Sequence, residues 1–276
     1  MFLHPATQQH LNTLRARGAS VVGPTEGRLA SGQKGEGRMS EPVDIWQTLR
    51  AVLGASRALV GRRVLVTAGP TYEPIDRVRF IGNRSSGKMG YAVAAEAQRR
   101  GADVTLVSGP VALAHPDGMR VVHVERAQEM RGVVLELASQ QDVVVMAAAV
   151  ADFEPATVVD GKARRVGPWE LNLVPTPDIA ADAVAAAPDA FHVGFALEPS
   201  DLVQRAREKL ERKGQQLVVA NAIDDEHNPF GSDHNRVVFV TAQGEHEQPI
   251  GTKAEVARRL WDEIESAMGA RDSQAP

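Results

Sequence analysis

A chain of 276 residues with 43% hydrophobic and 24% charged content has the composition of an ordinary globular protein, long enough to bury a large core. A net charge of −4 excludes a general nucleic-acid or membrane-surface binder, so any basic site is local. The absence of cysteine removes disulfides, thiolate metal sites and cysteine nucleophiles. The longest apolar run, Val143 to Ala151, falls far short of the ~20 residues of a membrane span. No basic-then-apolar leader is visible, and the expected location is the cytoplasm.

Residues 1–42 read as two short helix-like pieces followed by a glycine-rich polar run over 32–38. Ser40-Glu41-Pro42 has the form of a cap and first turn, opening a helix with Ile45, Trp46, Leu49, Val52 and Leu53 on one side that ends near Val60. A buried strand over 63–68 runs into the turn of Thr67-Ala-Gly-Pro-Thr71, and Asn83-Arg-Ser-Ser-Gly-Lys-Met-Gly90 enters a helix over Lys88–Arg100. Such a loop can place backbone N–H groups and the positive end of a helix dipole around an anion, with Lys88 as a mobile cation. Strand Asp103–Ser108, helix Ala127–Ser139 and the apolar strand Asp142–Val150 follow.

A long loop from Ala151 to Pro168 precedes a short strand over Trp169–Val174, a helix over Asp178–Ala187 and a strand over Phe191–Leu197. Helix Ser200–Lys213, buried strand Gln216–Ala222 and a polar loop over 223–235 come next. Val237–Thr241 pairs with a second edge strand across Gln243-Gly244, and Thr252 with Glu255 forms a capping box for a helix over Thr252–Met268. The expected domains are a poorly packed segment at 1–42, a linker helix at 43–60, one domain over 61–268 and a disordered tail at 269–276. The fold class is α/β: a doubly wound, mostly parallel Rossmann-like sheet with an edge β-hairpin, its ligands at the carboxyl ends of the strands.

Four constellations can carry chemistry. Gly69, with Ser85, Ser86 and Gly87, forms a candidate phosphate loop. Ala147 to Val150 are small residues over which a flat group can lie, with Asp152 the first charge after them; a loop cap explains Asp152 equally well. Lys162, Arg164 and Arg165 form a basic run that a solvated face would explain, or that could close over a triphosphate. Lys209 and Lys213 share a helix face, where ion pairs with Glu208 and Glu211 are the ordinary account. No metal-ligand spacing occurs among the eight histidines, His227 and His234 included, and the Mg²⁺ ligands stay unassigned.

From about Gly61 to Met268 the chain resembles bacterial phosphopantothenate–cysteine ligase, the synthetase family of coenzyme A biosynthesis. The resemblance is carried by Thr67–Thr71, Asn83–Gly90, Ala148-Ala-Val-Ala-Asp152, Thr176-Pro-Asp178, Gly194-Phe195 and Ala220-Asn221. It implies coupling of 4′-phosphopantothenate to L-cysteine, driven by CTP with Mg²⁺ through an acyl-cytidylate, by a homodimer. By motif match Asn83 is the asparagine that holds the acyl-cytidylate and donates to its developing oxyanion, and Lys162 is the catalytic lysine of a mobile loop. Nucleotide contacts are implied for Gly69, Ser85, Ser86, Gly87, Ala148, Asp152, Lys162, Pro177, Asp178, Phe195, Lys209 and Lys213. Two departures bear on this: Arg164 and Arg165 stand where the family commonly has lysines, and Pro175-Thr176 where it often has Lys-Asn.

Residues 1–40 carry a second resemblance, through His4-Pro-Ala-Thr7, Gly23-Pro24 and Gly37-Arg-Met39, to the tail of a flavin-dependent decarboxylase fused to such ligases. Ser31 aligns with that family's lid cysteine. About 40 residues cannot make a flavin fold alone, so neither FMN nor decarboxylation is expected. Two rivals remain. A short-chain dehydrogenase requires Tyr-x-x-x-Lys, whereas Tyr72 and Tyr91 are followed four residues on by Asp76 and Ala95. A non-catalytic nucleotide-binding paralogue is disfavoured by the presence of Asn83 and Lys162.

Overall fold

The computed structural model describes residues 2–28, 32, 34–53, 57–198, 200–222 and 231–272. Ser31, His227, most of the predicted 223–235 loop and the end of the tail at 273–276 lie outside the described residues. The chain divides into two compact units, 1–56 and 57–276.

The first unit contains α1 (Pro5–Ala16), an antiparallel hairpin of β1 (Thr25–Arg28) and β2 (Lys34–Arg38), and α2 (Pro42–Leu53). The glycine-rich run contributes strand β2, and among the described residues only one of the two expected helical pieces forms. The described part of helix α2 runs to Leu53 and residues 58–61 form turns, so the helix does not reach Val60. Val43, Trp46 and Leu49 of this helix are exposed.

The second unit runs β3 (Arg63–Ala68), β4 (Tyr72–Pro74), β5 (Phe80–Gly82), α3 (Lys88–Arg99), β6 (Asp103–Ser108), β7 (Arg120–His123), α4 (Ala127–Ala138), β8 (Val143–Met146) and β9 (Phe153–Pro155). It continues through β10 (Leu173–Pro175), α5 (Ile179–Ala186), β11 (Phe191–Glu198), α6 (Leu202–Lys213), β12 (Leu217–Ala222), β13 (His234–Asn235), β14 (Val237–Thr241), β15 (Gly244–Glu247), β16 (Gly251–Thr252) and α7 (Lys253–Asp272). Eight strands form one sheet in the order β15-β14-β12-β11-β8-β3-β6-β7. All pairings from β12 to β7 are parallel, while β14 and β15 add an antiparallel edge hairpin. This is the expected doubly wound sheet: the chain moves outward from β3 through β6 to β7, then returns to build β8, β11 and β12 on the other side. The reversal falls between β3 and β8, where such sheets open a crevice at their carboxyl ends.

Side chains alternate across the sheet because successive Cβ atoms point to opposite faces. Val64, Val66, Val145 and Val193 pack with α3 and α7 on one face. Leu65, Val144 and Met146 pack under α4 and α5, and Val218 and Ala220 under α6, on the other. Trp261 of α7 is fully buried and donates its indole N–H to the Val93 carbonyl at 2.9 Å. Arg100, at the end of α3, is braced by Glu96 of the same helix (2.8 Å) and clasps α7 through Asp262 (2.7 Å) and Glu265 (2.9 Å). The capping box is present: Thr252 N–H donates to Glu255 Oε2 (2.9 Å) and Glu255 N–H to Thr252 Oγ1 (3.2 Å).

Three further expectations are corrected. The strand expected to end at Val150 leaves the sheet after Met146, the Trp169–Val174 strand is confined to Leu173–Pro175, and α7 continues to Asp272 where a disordered tail was expected. The short hairpin β4–β5, the strand β9 that pairs with β10, and the edge strand β7 were not expected. Among the described residues no helix is long and apolar enough to cross a membrane. Because Trp261 joins α7 to α3 by both packing and a hydrogen bond, Trp261→Ala is expected to lower unfolding free energy by about 3–5 kcal/mol. Urea denaturation monitored by circular dichroism measures this, and a loss below about 1 kcal/mol would contradict its role as the core of that layer.

Candidate functional site

The turns after β3 and β8 are stitched together side by side. Thr67 Oγ1 accepts from the Ala148 N–H (3.1 Å) and Thr71 Oγ1 from the Ala151 N–H (3.0 Å). Ala149 N–H donates to the Gly69 carbonyl at 2.9 Å, and Pro70 and Ala149 form a parallel bridge. These bonds peel Ala147–Ala151 away from the sheet and lay its small side chains along a cleft of about 580 Å³.

On one side of the cleft lies the loop Ser85–Lys88. Gly87 takes φ of 76° as the residue before α3, and Gly90 lets the helix sit on β3, since a Cβ there would come 2.6 Å from Ala68 Cβ. The first N–H groups of α3 have no helical acceptor and face this end of the cleft, with the positive helix terminus behind them. Lys88 Nζ is held by Asp233 (2.6 Å) and the Gly231 carbonyl (3.1 Å).

On the other side stand α5, β11 and α6. Asp178 caps α5 through the Ala181 N–H (3.2 Å) and pairs with Lys213 Nζ (2.9 Å). Burial pushes the Asp178 carboxyl up, but the Lys213 hydrogen bond and the backbone N–H outweigh it and leave the group below its ordinary value. Lys209 donates to the Phe195 carbonyl. Burial, reinforced by the Lys213 charge, brings its ammonium down to about 8. Among the described residues the cleft is lined by Lys88, Lys209, Arg212, Lys213 and Lys253 against Asp152 and Asp178. A protein of net charge −4 thus concentrates positive charge in one place, which suits a multiply charged anion.

The structure brings Asn83, Ser85, Ser86, Gly87, Ala148, Asp152, Pro177, Asp178, Phe195, Lys209 and Lys213 to this one cleft. Gly69 stays behind the loop as a packing residue, where a Cβ would meet Val111 and Gly109. Lys162 is exposed and does not line the cleft. Its loop is tied to the β4–β5 hairpin, Ala163 N–H donating to Asp76 Oδ2 (3.1 Å) and Arg79 to the Ala163 carbonyl (2.9 Å). Asn83 also differs from the donor expected of it. Its Nδ2 donates to the carbonyls of Ala149 and Val150, both at 3.0 Å, so it meets an oxyanion only by exchanging one of these bonds.

Three polar residues escaped the sequence reading. Asn221 donates to the Ala196 carbonyl (3.4 Å), Asn235 donates to Asn221 Oδ1 (3.0 Å), and Gln215 lies buried at the cleft wall. Only Asn221 sat within a recognised motif.

Fold and cleft together define a doubly wound α/β protein with a cation-lined cleft at its topological switch point. Compared with known families, residues 59–268 match the DNA/pantothenate metabolism flavoprotein C-terminal domain, and the chain belongs to that family. The coenzyme A biosynthesis bifunctional protein CoaBC of Vibrio vulnificus is 40% identical over 98% of this chain and 68% of its own length. That of Mycolicibacterium smegmatis is 43% identical over 99% of this chain and 70% of its own. The crystal structure of a CoaBC C-terminal domain covers 78% of this chain and 100% of its own, at 39% identity and a TM-score of 0.67. The Cab2 H337A mutant in complex with phosphopantothenate-cysteine shares the fold, with a TM-score of 0.63 at 18% identity.

Lys209 generates a pH signature. Its folded pKa of about 8 lies below the ordinary 10.5, so between these values the unfolded chain carries a proton that the folded chain has released. The ligand-free protein therefore gains stability from Lys209 as pH rises through that window. A bound anion acts oppositely, because it needs the charged form. Affinity for a polyphosphate such as inorganic tripolyphosphate is expected to fall above about pH 8, approaching tenfold per unit, and Lys209→Met should flatten that slope. Titration calorimetry from pH 7 to 10 reads both, and an equal slope in the variant would remove Lys209 from the anion site.

Proposed function

We propose that this chain is a phosphopantothenate–cysteine ligase, joining 4′-phosphopantothenate to L-cysteine in coenzyme A biosynthesis. The observation that carries this is 40% identity to a coenzyme A biosynthesis bifunctional protein across 98% of the chain. The cationic cleft at the sheet's switch point supports it by suiting reactants that carry phosphates.

An amine cannot displace a carboxylate oxygen until that oxygen belongs to a good leaving group. In this reading CTP supplies one: the phosphopantothenate carboxylate attacks the α-phosphate, releasing pyrophosphate and leaving an acyl-cytidylate. The cysteine amine then attacks the acyl carbon, loses a proton and expels CMP. Lys209 and Lys213 offset the triphosphate charge, while the floor at Ala147–Val150 leaves room for a flat group against the backbone. Asn83 is placed to steady that floor and to exchange one carbonyl for the oxyanion of the second step. Lys162 reaches the triphosphate on closure of its loop.

Mg²⁺ fits this cleft only as a partner of the nucleotide. Among the described residues no group of three His, Asp or Glu could hold a metal, and Asp178 is committed to Lys213. Phosphate oxygens and water would be its ligands. The reading includes no FMN, and it places the reaction in the cytoplasm, where CTP is made available to soluble enzymes.

The reading also includes a homodimer. The adjacent hairpins β4–β5 and β9–β10, with the loop between β9 and β10, expose Val78, Phe80, Phe153, Val166 and Trp169. So many large apolar groups on one region of a surface favour contact with a second protein surface. The 237–250 edge is a poorer candidate than its sequence suggests. Val237–Val240 point inward and β15 turns out Glu245, His246 and Glu247. Phe80→Glu combined with Trp169→Glu is expected to convert a dimer to a monomer in sedimentation velocity. An unchanged sedimentation coefficient would move the interface elsewhere.

The decisive assay is pyrophosphate release from CTP and Mg²⁺ with 4′-phosphopantothenate, with and without cysteine, repeated with ATP. Release that requires phosphopantothenate, turns over with cysteine and prefers CTP is expected; silence with both nucleotides despite CTP binding would favour the non-catalytic paralogue. Asn83→Asp sets a carboxylate against two carbonyls and is expected to retain pyrophosphate release while losing amide product. Lys162→Gln is expected to slow pyrophosphate release about a hundredfold with little change in CTP affinity, since Lys162 lies outside the cleft before closure. Equal loss of both products in the first variant, or full release in the second, would refute that division of roles.

A further inference from the structure

Gln215 follows α6 and precedes β12, and it is 4% exposed. Its backbone N–H closes the helix end on the Leu210 carbonyl at 3.1 Å. Its side chain folds over Gly194 of β11 at the cleft wall, where a Cβ on residue 194 would fall 2.2 Å from Oε1 and 2.8 Å from Nε2. The glycine therefore makes the space that the amide fills. Among the described residues neither Oε1 nor Nε2 has a hydrogen-bond partner, although both are shut off from bulk water. A buried amide with both ends empty is unfavourable unless a bound molecule completes it. Phe195, the next residue on β11, holds Lys209 through its carbonyl, so the amide sits beside the cleft's cationic wall.

We propose that Gln215 is a base-recognition residue that binds the edge of the nucleotide's base; this rests on the CTP-dependent ligase reading. A primary amide offers one donor and one acceptor side by side. A phosphate offers acceptors alone. The amide within phosphopantothenate is trans, so its N–H and C=O point in opposite directions and one glutamine cannot engage both. The ammonium and carboxylate of cysteine call for charged partners. The ribose and phosphopantothenate hydroxyls can also donate and accept, but they rotate; of the reactants, the base alone fixes a donor and an acceptor on one planar edge, as when glutamine binds adenine through two parallel hydrogen bonds. Cytosine presents its amino group beside N3, and uracil presents N3–H beside O4. Neither end of Gln215 is fixed by the protein, so the amide can turn to face either pyrimidine. Gln215 thus contributes to base recognition without by itself rejecting UTP.

Calorimetric titration of wild type, Gln215→Leu and Gln215→Met with CTP, UTP and inorganic tripolyphosphate at one pH tests this. The methionine keeps the unbranched chain should the leucine fail to fold. CTP and UTP binding are expected to weaken by roughly tenfold or more in the variants, with tripolyphosphate affinity unchanged. Equal weakening of all three would mark Gln215 as a packing residue, and undiminished CTP binding would mean that water satisfies the amide; either overturns the proposal. A wild type that binds tripolyphosphate but neither nucleotide would overturn the CTP reading itself.

Discussion

The arrangement depends on the stitching of two turns at the point where the strand order reverses. Thr67 and Thr71 are buried, and each hydroxyl accepts a backbone N–H from the turn after β8. Those N–H groups have left the sheet ladder and would be orphaned in a dry interior, at a cost of about 1–3 kcal/mol each. Supplying their acceptors from β3 and its turn holds Ala147–Ala151 open as a floor. Asn83 closes the same segment from above through two of its carbonyls. The cleft therefore exists because three polar side chains replace the lost pairing of a ninth structural run.

Around that floor, charge and burial oppose each other. Lysines that face a cleft lose hydration, and Lys209 is discharged more easily than a surface lysine, while Lys213 pairs with Asp178. Lys88 is held by Asp233, on a segment that β13 and Lys253 bring across the carboxyl edge. The site is thus cationic in sum, with several cations occupied by weak or exchangeable partners. An incoming polyphosphate can take these partners over, which exchanges existing hydrogen bonds instead of requiring wholly new ones.

The functional reading and the chemistry of the cleft draw on different sources. Family membership and near-complete coverage of the chain point to the ligase activity. The geometry bears on how such an activity divides among residues: the N-terminus of α3, a wall of lysines at α6, and an unsatisfied amide against Gly194. Lys162 stands apart from all three, so a closure of its loop belongs to the proposed mechanism and not to the resting arrangement.

Continuous apolar runs and their spacing determined the parallel strands β3, β6, β8, β11 and β12, because a strand covered by helices on both faces leaves no polar alternation. Local pairing rules likewise determined the Thr252–Glu255 box and the placement of Gly87 before α3. The hairpins β4–β5 and β9–β10 were illegible because three-residue strands containing proline and half-exposed side chains carry no periodicity. The apolar run to Val150 misled for a related reason: its hydrophobicity records burial, but only the threonines of a strand far away in sequence decide that it bends out at Ala147. Tertiary structure alone placed Gln215 over Gly194, joined Asn235 to Asn221 and kept Lys162 out of the cleft. Each is a contact between segments distant in sequence, and nothing in the local pattern of residues encodes the partner.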